Sequence, residues 1–443
     1  MNNCQLKTNG MLKIYLKQAW NLIRQERLFS LIYVVGTGLS VSMVMVLSIV
    51  FYMKIANIYP ETNRDRMLVA KSGMIKHKNG SQSSSSLSES MINTCFGSLN
   101  GVEAVALISR HDGECMVQPD GDPVQLPVTV KYVNTDFWKV FEFRFLNGKP
   151  FTDADQQSAI RTAVIAESLA RRLFGTTDAE GKFISVDFRQ YRVCGVVKDA
   201  SLVTEKTYAL VWFPYTVADG YKPNGSWYDT QALGDYHAYI LASKGTDLKA
   251  LKKEAEEKAE RYGKMLGEET FTALGQPDYY WQSCFRYWSN ERPDYVLLSL
   301  QYGLIILIFL LVPSVSLSGM TDSRMERRLS EMGVRRAFGA PVGTLMTQII
   351  SENFLFTALG GVFGLIFSYL LIYLTRDWIL QIGASFVNAL PEGADVVFSP
   401  GMLMNYQVFG IALLVCFVLN LLSALVPAWR ASHRQIIDSL NAK

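Results

Sequence analysis

The chain has 443 residues, with 43 Lys and Arg against 40 Asp and Glu, for a formal net charge of +3. So even a balance gives no electrostatic case for nucleic acid as a partner. Hydrophobic residues reach 49% and mean hydropathy is +0.12, averages that conceal four long apolar runs among stretches of ordinary soluble composition.

Residues 1–27 place Leu12, Tyr15, Leu16, Ala19, Trp20 and Ile23 along one helical stripe, with Lys13, Lys17 and Arg24 off it. Two arrangements fit: a cytoplasmic amphipathic helix in the membrane interface, with Trp20 anchored at headgroup level, or a short helix packed on its own bundle. Residues 28–53 carry no charge and exceed the roughly 20 residues needed to cross a bilayer core. No small-residue cleavage pattern follows, so the segment reads as an anchor rather than a removed signal.

Residues 54–294 mix strand and helix patterns and are long enough for a core of their own. RTAVIAESLARRLFG predicts a strand running into a helix, with Leu169, Leu173 and Phe174 on one face. KFISV, YRVCGVV, ALVWFPY and YHAYILAS are strand-like. From Asp247 to Met265 the charge run predicts an exposed helix, with Lys253–Glu257 and Glu254–Lys258 as neighbouring pairs. The serine-rich stretch from Gly80 to Ser90 predicts a mobile loop.

Three further uncharged runs follow, 295–320, 353–375 and 402–426, joined by 321–352 and 376–401 and ending in a tail, 427–443. Lys7, Lys13, Lys17, Arg24 and Arg27 precede the first run. Arg324, Arg327, Arg328, Arg335 and Arg336 lie between the second and third, and Arg430, Arg434 and Lys443 follow the fourth. Positive residues favour the cytoplasm, so both termini and the Arg-rich loop are predicted inside, with 54–294 and the short loop 376–401 outside. The predicted fold is a four-helix membrane protein with a large α+β domain inserted between helices one and two, which in a bacterium means a periplasmic domain and the inner membrane. Gly360, Gly361 and Gly364 would let a neighbouring helix approach closely, and Pro313 would bend the second span. Uncharged spans argue against an ion-coupled carrier.

Catalytic patterns are missing. His77, His111, His237 and His433 are far apart and make no HExxH pair. Neither a GxSxG elbow nor a phosphate-binding loop is present, so any nucleotide binds elsewhere. Asp112, Glu114, Asp120 and Asp122 read mostly as turn formers. Six cysteines (Cys4, Cys95, Cys115, Cys194, Cys284 and Cys416) form no CxxC pair; four fall in 54–294, where a disulfide is permitted but cannot be paired from sequence, and small buried residues are the favoured reading. No metal site and no catalytic residue is expected.

SGMTDSRMERRLSEMGVRRAFGAPVGTLMTQIISENFLFTALGGVFG follows span two. Its Glu331, Gly333, Arg335, Arg336, Ala337, Gly339 and Ala340 resemble the signature of the FtsX-like permease domain of MacB-type ABC transporters. The C-terminal VPAWRASHRQIIDSLN is similar to that domain's ending, departing at Ile436, where a Pro is common. VNTDFWKVFEFRFLNGKPFTDAD, TAVIAESLARRLFG and YRVCGVVKDA resemble the MacB-type periplasmic core.

The resemblance implies a permease subunit that binds no cofactor itself and uses ATP and Mg through a separate cytoplasmic ATPase. A second permease chain, identical or related, would pair with it, and in an efflux system a periplasmic adaptor and outer-membrane channel would join. Residues 294–443 would form the permease domain, with Glu331, Gly333, Arg335, Arg336 and Gly339 in the coupling loop against the ATPase. Physically, Glu and Arg offer charge-assisted bonds and the glycines permit close approach and a turn. The same arginines also suit topology and anionic lipid. Efflux of peptide-like substrates, lipoprotein handling, and an FtsX-like regulator of cell-wall hydrolases all remain open to this chain.

Overall fold

The computed structural model describes residues 27–309 (apart from 111–112, 120–124, 222–230, 266–269, 287 and 289–290) and 341–383, with isolated positions at 24–25, 311, 334, 337–339 and between 407 and 425. They fall into two compact units. One is drawn from the apolar runs; the other holds 52–294. The predicted segment 1–27 with Trp20, the residue Pro313 and the tail 427–443 lie outside the described residues, Arg27 and positions 24–25 excepted.

Helix α1, Arg27–Ile55, contains the whole first apolar run. The outer domain then begins with β1 (Met67–Ala70), β2 (Gly73–Lys76), β3 (Gln82–Leu87), α2 (Glu89–Cys95), β4 (Val102–Ser109), β5 (Gly113–Pro119) and β6 (Leu126–Val133). It continues through α3 (Phe137–Val140), β7 (Phe145–Gly148), α4 (Asp153–Gln157), β8 (Thr162–Ala166), α5 (Glu167–Phe174), β9 (Phe183–Val186), β10 (Arg189–Val197) and β11 (Val211–Pro214). It closes with β12 (Leu233–Gly234), β13 (Tyr236–Ala242), α6 (Leu248–Met265), β14 (Thr270–Thr272), β15 (Asp278–Tyr279) and α7 (Tyr280–Phe285). In the other unit, α8 runs from Val342 to Gly383.

Two helices, Ser30–Ile55 and Met346–Thr375, are long and apolar enough to cross a membrane, and shorter apolar helices cover Tyr295–Phe309 and Phe409–Leu419. The apolar part of α8 thus begins before residue 353. It takes in Glu352, which the sequence pattern had placed in the preceding loop, because a helix tolerates one carboxyl whose partner sits a turn away: Gln348 donates to Glu352 Oε1 at 3.0 Å.

Six strands of the outer domain close into a ring, β6–β5–β9–β10–β8–β11 and back to β6. Most pairs are antiparallel, but β8–β10 and β6–β11 are parallel. Beyond the ring, β13 lies between β4 on one side and β1 with β3 on the other. These strands read as nearly unbroken apolar runs because both faces are covered. Val69, Ala106, Ile108, Tyr239 and Leu241 face one core, while Leu68, Ala70, Leu107, Ala238 and Ile240 face the other. The period of two that alternates side chains across a strand therefore assigns successive residues to different cores.

The first core holds the aromatics of VNTDFWKVFEFRF: Phe137, Trp138, Phe141 and Phe143 gather with Trp212, ring centroids about 5 to 6 Å apart. Asn134 pins this segment to β4, accepting from the Leu107 amide and donating to the Val105 carbonyl. In the second core α6 buries Leu251, Ala255, Ala259 and Tyr262 at helical spacing. Its other face keeps the predicted charge pairs, Lys253–Glu257 at 4.0 Å and Lys258–Glu254 at 3.4 Å.

The serine-rich stretch is not a loop. Gln82–Leu87 is strand β3, paired with β2, β12 and β13. Its hydroxyls find acceptors, Ser84 on the Gly73 carbonyl and Ser85 on the Gly234 carbonyl, and Ser88 caps α2 through the Met91 amide. Composition predicts a linker here; satisfied hydroxyls in a sheet interior override it. The four described cysteines, Cys95, Cys115, Cys194 and Cys284, are free.

Trp212→Ala is expected to cost about 3–5 kcal/mol of stability. Lys253→Ala, on the solvated face of α6, should stay within about 0.5 kcal/mol. Thermal unfolding of the purified chain distinguishes the two.

Candidate functional site

Three places stand out among the described residues. The first is a helix–helix contact. An added Cβ on Gly364 would lie 2.5 Å from the Gly38 carbonyl oxygen, and one on Gly38 would lie 3.0 Å from the Gly360 oxygen. On Gly360 it would meet Thr37 Cβ at 2.7 Å. Backbone thus packs on backbone between α1 and α8, a contact only glycine permits. Gly361 faces a different neighbour, Leu413, whose Cδ1 would crowd its added Cβ.

At one end of this contact Tyr33 donates to Asn353 Oδ1 at 3.2 Å and tilts against Phe356 at 5.2 Å. Glu352, Asn353 and Tyr33 are all buried. The glycine spacing was visible in sequence. Gly38 and the polar residues beside it were not, because single polar residues in an apolar run have no pattern.

The second place is the segment before α8. Glu331, Gly333, Arg335 and Arg336 lie outside the described residues. Gly339 is described, with φ of 88°, and its Cβ position meets nothing within 4 Å, so the constraint there is conformational rather than steric. Just before it, the Phe338 amide donates to the Val334 carbonyl at 3.1 Å, one helical turn. Val334 and Phe338 therefore share a face, and both are exposed, at 44% and 89%.

The third place was not foreseen. Arg64 is buried and donates through Nη1 to the Met53 carbonyl at 2.9 Å and the Ala56 carbonyl at 2.7 Å. These acceptors are among those that an α-helix leaves unsatisfied at its C-terminus, where a cation also opposes the helix dipole. Cys284 adds a thiol contact to the Lys54 carbonyl at 3.3 Å.

Arg64 is neutralised by Glu61, itself fully buried, through Nε at 2.8 Å. Glu61 also accepts from Tyr280 OH at 2.5 Å and from Thr207 Oγ1 at 3.0 Å, and the guanidinium lies 4.9 Å over the Tyr280 ring. Burial works against the Arg64 charge, but Glu61 outweighs it and raises the pKa. Burial, reinforced by Glu61, drives the Tyr280 hydroxyl well above its usual range, so it stays a donor. The last turn of α1 is thus tied to residues 61, 64, 207, 280 and 284 of the outer domain.

Sequence comparison joins these features. Residues 30–258 match the MacB-like periplasmic core domain and residues 303–436 the FtsX-like permease C-terminal domain. The YknZ permease of Bacillus subtilis (strain 168), named an uncharacterized ABC transporter permease, is 20% identical over 342 residues, 77% of each chain. The macrolide export ATP-binding/permease protein MacB of Wolinella succinogenes is 24% identical over 358 residues, 77% of this chain and 50% of that protein. The chain therefore spans half the length of that relative. The crystal structure of the periplasmic region of MacB from Actinobacillus actinomycetemcomitans covers 46% of this chain and 88% of that one, at 17% identity and a TM-score of 0.33.

A MacB-like α+β domain and an FtsX-like permease segment in one chain with apolar helices define a membrane permease. The chain belongs to the MacB-like family and is an ABC transporter permease of the MacB/FtsX type. Among the described residues no His, Cys, Asp and Glu group could hold a metal ion.

Glu61→Gln keeps the size but strands the Arg64 charge, and should cost about 3–5 kcal/mol in unfolding experiments. Adding Arg64→Met to that variant should recover part of the loss, since the uncompensated charge is then gone. Gly364→Leu forces side chain into backbone and is expected to cost about 1–3 kcal/mol, read as a lower unfolding temperature in detergent.

Proposed function

We propose that this chain is the membrane subunit of an ABC transporter in which a separate cytoplasmic ATPase drives movement of the outer domain. It would pair with a second permease chain, cross the inner membrane four times with both termini inside, and bind no nucleotide of its own. Work would pass across the membrane as displacement of helices rather than as substrate through a pore.

The observation that carries this reading is the latch at the end of α1. One continuous helix from Arg27 to Ile55 ends in carbonyls held by Arg64, and Arg64 is held in turn by a buried carboxylate with two further donors. A helix end fastened by charge-assisted bonds transmits an axial displacement, whereas a frayed end would absorb it. The exposed pair Val334 and Phe338, closed by the left-handed Gly339, supports the inner loop as the ATPase contact. An apolar pair at one-turn spacing fits a groove, and the neighbouring Glu331, Gly333, Arg335 and Arg336 would supply the polar rim.

Efflux is the favoured use of that motion, by analogy with the export proteins among the relatives. In that setting an adaptor and an outer-membrane channel would complete the system.

Purification of the tagged chain from its native host in mild detergent should bring down a stoichiometric Walker-motif ATPase. Phe338→Glu and Glu331→Lys should each lose that ATPase while inserting normally. A well-folded wild-type chain that retains no ATPase would instead make it an ATPase-independent anchor or receptor.

A further inference from the structure

Among the described tryptophans of the outer domain, Trp212 is fully buried and Trp138 packs against it in the first core. Trp281 and Trp288 differ, being 47% and 60% exposed. A half-exposed indole leaves apolar ring surface outside the protein, beside an N–H that seeks a polar partner. Each of the two is placed by its fold or its position in the chain near an end of an apolar helix.

Trp281 is on α7, one helical turn before Cys284 and on the same side, where side chains lie about 5–6 Å apart. Cys284 contacts the Lys54 carbonyl at 3.3 Å. Tyr280, the residue before Trp281, is joined through Glu61 to Arg64, which holds the Met53 and Ala56 carbonyls. Trp281 is thus fixed beside the last turn of α1, within one compact unit.

Trp288 is fastened separately. Its carbonyl accepts from the Glu291 amide at 3.2 Å. Buried Arg286 donates to the Glu291 carbonyl, while two bonds of 2.6 and 2.9 Å hold the same guanidinium to Asp278 of β15. The next apolar helix, Tyr295–Phe309, opens after a segment that could reach at most about 24 Å if fully extended.

Depth follows from length. The apolar part of α1, Ser30–Ile55, has 26 residues, which makes it about 39 Å long. The hydrocarbon core of a bilayer is about 30 Å thick, and about 40–45 Å with its headgroup layers. A helix of that length crossing the core ends among the headgroups, a layer that suits Lys54 in its last turn. Trp281, tied to that turn, lies at the same depth.

We infer that Trp281 and Trp288 seat the outer domain on the membrane, their indoles inserted into the headgroup layer of the leaflet on that domain's side. The partner of this face is lipid. An indole fits there because its ring joins the apolar side while its N–H meets headgroup oxygens. Two anchors on separately fastened segments limit a tilt that one alone would allow. The assignment rests on α1 crossing the membrane and is independent of how the ATPase is coupled.

The test is tryptophan fluorescence of the full-length chain reconstituted in phosphatidylethanolamine–phosphatidylglycerol vesicles. These are prepared with and without phosphatidylcholine brominated on the upper part of its acyl chains. Flotation with the vesicles establishes insertion independently of the two rings. Emission of the wild type minus that of Trp281→Phe, Trp288→Phe or the double variant isolates these rings from the chain's other tryptophans. That difference should lose most of its intensity to the brominated lipid. A difference that brominated lipid leaves unchanged overturns the proposal, and iodide in the water then gives the reason. Quenching by iodide would mean that the rings face water; resistance to it would mean that protein, such as a second copy of the chain, covers them. If the double variant fails to fold, each single variant still supplies the difference for its own ring.

Discussion

A carboxylate and a guanidinium, both almost out of contact with water, hold the last turn of the first helix to the outer domain. Burying either one alone would be prohibitive; together, with Tyr280 and Thr207 supplying the remaining bonds of Glu61, they are satisfied. The arrangement is specific in a way that apolar packing is not, since Arg64 must reach two particular carbonyl oxygens, those of Met53 and Ala56. The chain after residue 55 begins from this fixed point. An apolar contact at the same place would bury the chain end as well but would allow it to rotate and slide.

The outer domain answers a second constraint, that its central strands have no wet face. With a core on either side, successive residues of β1, β4 and β13 serve different halves of the domain. A displacement of these strands would be felt by both. Polar groups on such strands are confined to the ends, where Glu103 and Ser109 of β4 and His237 of β13 stand. Charge at the strand ends and hydrocarbon in the middle are two results of the same burial.

Much of this was legible beforehand. Strands β8, β9, β10, β11 and β13 and helices α5 and α6 follow from alternation, β-branched composition and helical spacing. Long uncharged runs marked the apolar helices, and LGGVFG marked a close helix contact. Other features misled. Serines in Gly80–Ser90 suggested a linker, but a hydroxyl is tolerated in a sheet wherever an acceptor stands opposite, and that acceptor, Gly234, is 149 residues away. Glu352 ended the third apolar run by its charge alone, although Gln348 one turn earlier lets the helix continue through it. The latch residues left no trace, because Glu61, Arg64, Thr207 and Tyr280 are unremarkable in isolation and spread over 220 positions of chain.

The sequence by itself determined what depends on neighbours along the chain: which segments are helical or extended, and which are too apolar for water. It also carried the ordered motifs by which the family is recognised. Tertiary structure decided what depends on residues distant in sequence meeting in space. It chose Gly38 as the partner of Gly364 and Arg64 as the cap of a helix that ended nine residues earlier. Local propensity is an additive property of short windows. Desolvated charge pairs and backbone contacts exist only after the chain has brought their members together.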